Sequence, residues 1–307
     1  MGSVRRRAAP ALRRHVLGYT GFRTGFPEPR RRLELPNGTF TLVLSFADGL
    51  HVTGSDGLLR PAPAAMISGL HTGPVTGVHR GEVHGLEVNL TPTGAYRLLG
   101  TPMRHFRDVY LDLADVLGPY WPRLTERLRE LRGWEARFTL LDQALAARLD
   151  AGRRQLSPEV GHALSRLRGA DPSLSGATAE TGWSARTLRA RFQQEVGLSP
   201  KGVARVYRLQ RALLALSGGL PAAETAALCG YHDQAHLSRD IKAMTGLSPS
   251  ALIRLRAGVP PGSPLDRVPG RITSVLLPGR PTPARPAGDG RAAPPYRPPG
   301  EGRPGQQ

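Results

Sequence analysis

The tetrapeptide Gly197-Leu198-Ser199-Pro200 returns 49 positions later as Gly246-Leu247-Ser248-Pro249, and the run leading into the second copy decides how this part of the chain folds. That run is Cys229-Gly230-Tyr231-His232-Asp233-Gln234-Ala235-His236-Leu237-Ser238-Arg239. Upstream, Gly182-Trp183 matches Gly230-Tyr231, and Leu188 and Phe192 match Leu237 and Ile241, so one supersecondary unit is used twice. Each unit has an Ala-rich helical stretch (176–181; 222–229), a glycine followed by an aromatic residue, a capping residue (Ser184; Asp233) and a longer helix. Gly182 and Gly230 suit the left-handed conformation that ends a helix, and Ser184 and Asp233 can accept from the orphan amides that start the next.

That grammar is helix–turn–helix. With Leu188 and Phe192 turned inward, Arg186, Thr187, Arg189 and Ala190 lie around the opposite side; with Leu237 and Ile241 inward, Gln234, His236, Ser238 and Arg239 face solvent. Arginine suits guanine and glutamine suits adenine in the major groove, so both faces carry base-reading chemistry. Between the units, Val203, Val206, Leu209, Leu213 and Leu216 form the apolar stripe of a connecting helix, with Arg205, Arg208 and Arg211 towards its other side as phosphate contacts or solubilising charges.

Charge divides the rest. The 307 residues carry a net +18, and all basic residues except Lys201 and Lys242 are arginine, which points to a polyanionic partner. Residues 1–32 hold +8, 33–152 hold −2, 153–256 hold +8 and 257–307 hold +4. We therefore expect a basic N-terminal arm (1–32), a near-neutral β-rich regulatory domain with closing helices (33–152), a nucleic-acid reader (153–256) and a disordered Pro/Gly/Arg-rich tail (257–307). In the second segment Phe40–Leu44 and Gly85–Leu90 read as strands between Gly, Pro, Asn and Asp punctuation. From Tyr120 to Asp150, leucines recur at helical spacing with a break at Gly133, packing on their own domain rather than forming a dimer seam. The fold class expected is α+β multidomain: a small β-barrel or cupin-like domain with closing helices, then an all-α domain of two helix–turn–helix subdomains joined by a long helix.

Residues 153–256 resemble the DNA-binding domain of AraC/XylS-type transcriptional regulators, on the strength of Cys229–Arg239, Lys242 and Gly246–Pro249. The resemblance implies two recognition helices in successive major grooves about 34 Å apart. It places base-reading positions on Arg186, Arg189 and Ala190 in the first helix and around Gln234, Ala235, His236 and Arg239 in the second. Ala190 and Ala235 could touch only a thymine methyl, and Ala177 and Thr225 stand where the family places larger aliphatic residues. Leu35–Gly38, Gly69–His71 and Leu90–Arg97 weakly resemble the cupin-like sensor domains that precede such readers.

The partners expected are double-stranded DNA, RNA polymerase and a small-molecule effector, with the chain a monomer or homodimer. No membrane segment, export signal, cofactor, metal or catalytic role is expected, and the location expected is cytoplasmic. The rival is a metal-dependent cupin-type enzyme or sensor built on His79, Glu82, His84 and Glu87, with the basic segment holding nucleic acid non-specifically; strand alternation sets Glu87 on the opposite face from His84. Cys229, the single cysteine, reads as a small buried packing residue, and Trp183 and Tyr231 read as core plugs.

Overall fold

The computed structural model describes residues 2–53, 58–169, 180–259 and 265–278. The N-terminal part is an antiparallel sheet of nine strands among the described residues: β1 Gly2–Arg6, β2 Val16–Glu34, β3 Phe40–Ser45, β4 Leu50–Thr53, β5 Leu59–Pro61, β6 Ala65–Ser68, β7 Val75–Leu90, β8 Tyr110–Asp112 and β9 Ser274–Leu277. Its path runs β1-β2-β7-β3-β6-β8, with β4 and β5 branching from β7 and β9 laid on β2. The long strands β2 and β7 are its spine, paired from Val16 opposite Leu90 to Glu34 opposite Val75, with an irregularity between Phe26 and Arg30.

Alternation gives the sheet two unlike faces. Phe40, Leu42 and Leu44 of β3 and Leu86, Val88 and Leu90 of β7 are fully buried and pack against helices. Val43, Leu50, Val52 and Met66 point the other way and form a second, smaller apolar cluster.

The helices on the first face are α1 Pro92–Leu99, α2 Leu113–Leu117, α3 Tyr120–Glu130 and α4 Trp134–Ala151, with the break at Gly133 where the leucine spacing places it. Leu124, Leu128, Phe138, Leu141, Leu145 and Leu149 are all buried within the chain. Asp142, on the same helix, accepts from Tyr19 Oη (2.6 Å) and from the Ala9 amide (3.1 Å) and pairs with Arg6. The helical part continues with α5 Pro158–Arg168, α6 Ala185–Glu195, α7 Pro200–Ser217, α8 Ala222–Leu228, α9 Gln234–Thr245 and α10 Pro249–Leu255. The repeated tetrapeptide is a helix-starting device: Ser199 accepts from the Gly202 amide and Ser248 from the Ala251 amide, each followed by a proline at the first helical position.

Two expectations are corrected. Residues 1–32 are not an arm: Gly2–Arg6 and Val16 onward are ladder strands. The arginine count hid an apolar alternation, and Arg6, Arg23 and Arg32 are paired with Asp142, Glu82 and Glu34. Nor is the whole of 257–307 a disordered tail, because Ser274–Leu277 pairs with Arg31–Glu34 and buries Val268, Ile272 and Val275. A strand this short has no periodicity of its own to read and forms because β2 offers it a ready edge. Residues 279–307 lie outside the described residues.

The returning segment is held at three points. Asp266, fully buried, receives the Arg256 guanidinium through two bonds (2.6 and 3.0 Å) and the Thr273 amide (2.9 Å). Gln210, inside α7, donates to the carbonyls of Pro36 (2.7 Å) and Ile272 (3.0 Å) and accepts from the Ile272 amide (3.0 Å). The Tyr207 ring lies beneath the Arg271 guanidinium at 5.2 Å. One hydrophobic cluster consequently runs through both parts of the molecule, from Ala8 to Val275.

Removing one member of a buried ion pair strands the other charge, whereas replacing both with apolar residues does not. Arg256→Met is expected to lower unfolding free energy by about 3–5 kcal/mol, and the double change with Asp266→Leu to recover most of that loss. Urea denaturation of the three proteins measures this; equal loss in single and double variants would show that the pair's charge balance is not what matters.

Candidate nucleic-acid interface and the cavity behind it

Both longer helices of the repeat are built and capped as the sequence indicates. Gly182 (φ 66°) and Gly230 (φ 73°) take the left-handed conformation. Ser184 accepts from the Thr187 amide at 3.1 Å, and Asp233 from the His236 amide at 2.6 Å. Residues 176–179 of the first unit's leading stretch, Ala177 among them, lie outside the described residues; Thr225 of the second is fully buried.

On α6, Leu188 and Phe192 are buried, and Arg186, Thr187, Arg189 and Ala190 are exposed together on the outer side. Its last residue, Glu195, is buried and accepts from the Ser157 amide (2.7 Å) and hydroxyl (3.0 Å), fixing the start of α5. The end of α6 rests on the turn Met103–Phe106 of the sheet domain. On α9, Leu237, Ile241 and Met244 are buried, Gln234, Ala235 and Arg239 are exposed, and His236 and Ser238 are half-buried. The His236 ring stands edge-on to Tyr231 (5.2 Å between centroids), and its Nδ1 accepts from the His232 amide at 3.3 Å.

The connector arginines are partly exposed and each also has a partner within the protein. Arg205 pairs with Asp240 of α9, Arg208 reaches the same carboxylate at 3.3 Å while lying 4.3 Å over the Tyr231 ring, and Arg211 donates to the Gly169 carbonyl at 2.7 Å. Two guanidiniums thus clamp the second longer helix to α7 through one nearly buried aspartate. Cys229 is buried, which pushes its thiol up, away from the reactive thiolate.

The inner face of the sheet encloses a cavity of about 460 Å³, which the sequence reading missed as a unit. Phe22, Val43, Val52, Met66 and Val83 line it, with a buried charged group at one side: Arg32 donates to Glu34 (2.8 Å), and Arg267 contacts Glu34 (3.4 Å) and Glu87 (2.5 Å). The signal available was odd-numbered polarity along β7, at His79, Glu87 and Asn89; Arg267 gave none. The four residues of the rival metal site are split between environments. His79 and Glu87 face the cavity, Glu82 pairs with Arg23 at the surface, and His84 sits between the rings of Phe46 and Trp134. Among the described residues no group of three or more metal-ligating side chains converges.

Burial would raise the Glu34 carboxyl, but Arg267 and Arg32 overcome that and hold it below the usual range; burial pushes Glu87 up against the same two guanidiniums. Burial, then Arg32 and Arg267, push the His79 imidazole down to about 3 against the pull of Glu34.

Residues 177–254 match the family profile described as a helix-turn-helix domain. This segment is an AraC-type helix-turn-helix domain. Residues 5–112 match a domain of unknown function (DUF6597), which covers most of the sheet. No curated protein matches the chain. Among solved structures it is similar to ToxT of Vibrio cholerae O395 (9% identity, 78% of this chain and 98% of that one, TM-score 0.44). It is also similar to ToxT of strain SCE256 with a bound unsaturated fatty acid (8%, 83% and 99%, 0.42) and to the xylose-binding transcription activator XylR (19%, 39% and 38%, 0.29). Likeness at that level assigns nothing further to this chain. Among the described residues no helix is long and apolar enough to cross a membrane.

Two outcomes follow from the geometry of the AraC-type domain and the cavity. Asp240→Ala leaves Arg205 and Arg208 without their shared acceptor and is expected to cost about 2 kcal/mol in chemical denaturation, since both guanidiniums retain partial access to water. His79 binds its proton near 6.5 when unfolded and near 3 when folded, so its share of stability is whole above 6.5 and shrinks as pH falls towards 3. Unfolding free energy measured between pH 7.5 and 4 should therefore fall less steeply in His79→Phe than in the parent; identical slopes would place the titration elsewhere.

Proposed function

We propose that the chain reads DNA sequence with two helices, α6 and α9, entering successive major grooves on one face of the duplex, under control of an effector held by the sheet domain. The observation that carries this is the pairing of two capped helices, each with an outward face bearing arginine or glutamine, on the single connector α7. Arg186, Arg189, Gln234 and Arg239 would make base and phosphate contacts, with Thr187, Ser238 and His236 beside them and Ala190 and Ala235 set against thymine methyls. Arginine contacts to phosphates release counterions, so affinity should fall steeply with salt. In this reading the protein has no catalytic role, works in the cytoplasm with RNA polymerase as a partner, and needs only one chain to occupy a full site.

Selection of duplexes from a random pool by the full chain, at physiological salt with excess competitor, is expected to enrich two conserved blocks about one helical turn apart. On the selected duplex, Arg189→Ala should cost about 1–3 kcal/mol and relax preference at one base position. Unchanged affinity and preference would remove Arg189 from the reader, and a pool without any enriched motif would overturn the two-helix reading.

A further inference from the structure

The cavity's charges balance within it. Arg32 and Arg267 face Glu34 and Glu87, and His79 is held neutral. An anionic ligand would find both guanidiniums already committed to carboxylates. A cationic one would sit beside two guanidiniums. Bringing net charge into an enclosure walled by Phe22, Val43, Val52, Met66 and Val83 is costly in either case. Two polar atoms of the described lining residues nevertheless lack a partner: Nε2 of the buried His71, and Oε2 of Glu87, which is 1% exposed and whose other oxygen, Oε1, accepts from Arg267. Glu87 lines the cavity, so a hydroxyl or amide N–H placed there would satisfy it. The volume lies in the range of small-molecule sites.

The site is not made by the sheet domain alone. Leu265, Arg267, Thr273 and Leu276 line it, and they belong to the segment that follows the DNA reader in sequence. Within that segment Asp266 holds Arg256 at the end of the last reader helix, while its neighbour Arg267 reaches into the cavity. Arg32 also donates to the Leu265 carbonyl at 2.9 Å, and Ile272 is bonded to Gln210 of the connector. A shift of Arg267 is therefore one residue away from a reader contact.

We propose that this cavity takes an electrically neutral, largely apolar molecule whose hydrogen-bond donor reaches Glu87, and that the segment Leu265–Leu277 passes its presence to the reader. This rests on, and narrows, the reading of the sheet domain as the effector-holding part.

The test titrates the full chain calorimetrically with 1-octanol, octanoic acid and octylamine, which share a tail and differ in head group. The alcohol is expected to bind with a Kd at least tenfold below those of the acid and the amine. Val52→Phe, which puts a ring into the cavity, should abolish binding. Glu87→Gln leaves a net positive charge and should move the ratio of acid to alcohol affinity at least tenfold towards the acid. In hydrogen exchange on the full chain, octanol should slow exchange in 265–277 as well as in 75–90. Acid or amine binding as tightly as the alcohol, no binding of any of the three, or protection confined to the sheet strands would each overturn the proposal. DNA affinity of the ligand-free chain is read separately: its loss with octanol binding intact would refute the regulator reading and leave this one standing.

Discussion

A glutamine side chain buried inside a helix must have its hydrogen bonds met by protein, and Gln210 meets all three of the bonds it makes outside its own helix. Its amide serves the Pro36 carbonyl of the sheet domain and both backbone groups of Ile272 in the returning segment. The helix that spaces the two longer helices of the repeat is thereby satisfied only when the sheet domain and the C-terminal segment are both in place. The Arg256–Asp266 pair imposes the same condition from the other end, since neither charge has access to water. These two buried polar joints, rather than a linker, set how the reader is seated.

The sheet supports both roles because its faces differ. One face is spent on packing: Leu42, Leu86 and Val88 lie against the helices that in turn carry the end of α6. The other keeps a cavity whose charged groups cancel within it. Alternation along β3 and β7 produces the division directly, with Thr41 and Val43 on the cavity side of β3 and Phe40 and Leu42 on the packed side. A molecule in the cavity would touch Arg267, and Arg267 adjoins the residue that anchors the last reader helix.

Much of this was legible in the sequence where local chemistry repeats. The Ser-Pro starts at Ser199 and Ser248, the left-handed glycines at 182 and 230 and the buried pairs Leu188/Phe192 and Leu237/Ile241 are local signals, and each sits where the spacing puts it. Strands β3 and β7 announce themselves by aliphatic runs. What stayed hidden depends on distant partners. The strand content of 1–32 is masked by arginines whose acids lie far off at Glu82 and Asp142, and β9 exists only because β2 has a free edge. Arg205 and Arg208 read as surface charge until Asp240, more than thirty residues later, turns inward to meet them. Thr225, which stands where the family places a larger aliphatic residue, is fully buried with its hydroxyl towards the Leu220 carbonyl.

Held by these joints, reader and sheet domain should unfold as one body. Trp121 and Trp134 lie in the sheet domain and Trp183 in the reader, so variants keeping one tryptophan each, the others changed to phenylalanine, report the two parts separately. In urea unfolding followed by fluorescence, coincident midpoints are expected for the Trp121 and Trp183 reporters. A reader transition clearly separated from that of the sheet domain would contradict it, because the Gln210 and Arg256 joints would then break without cost to the rest.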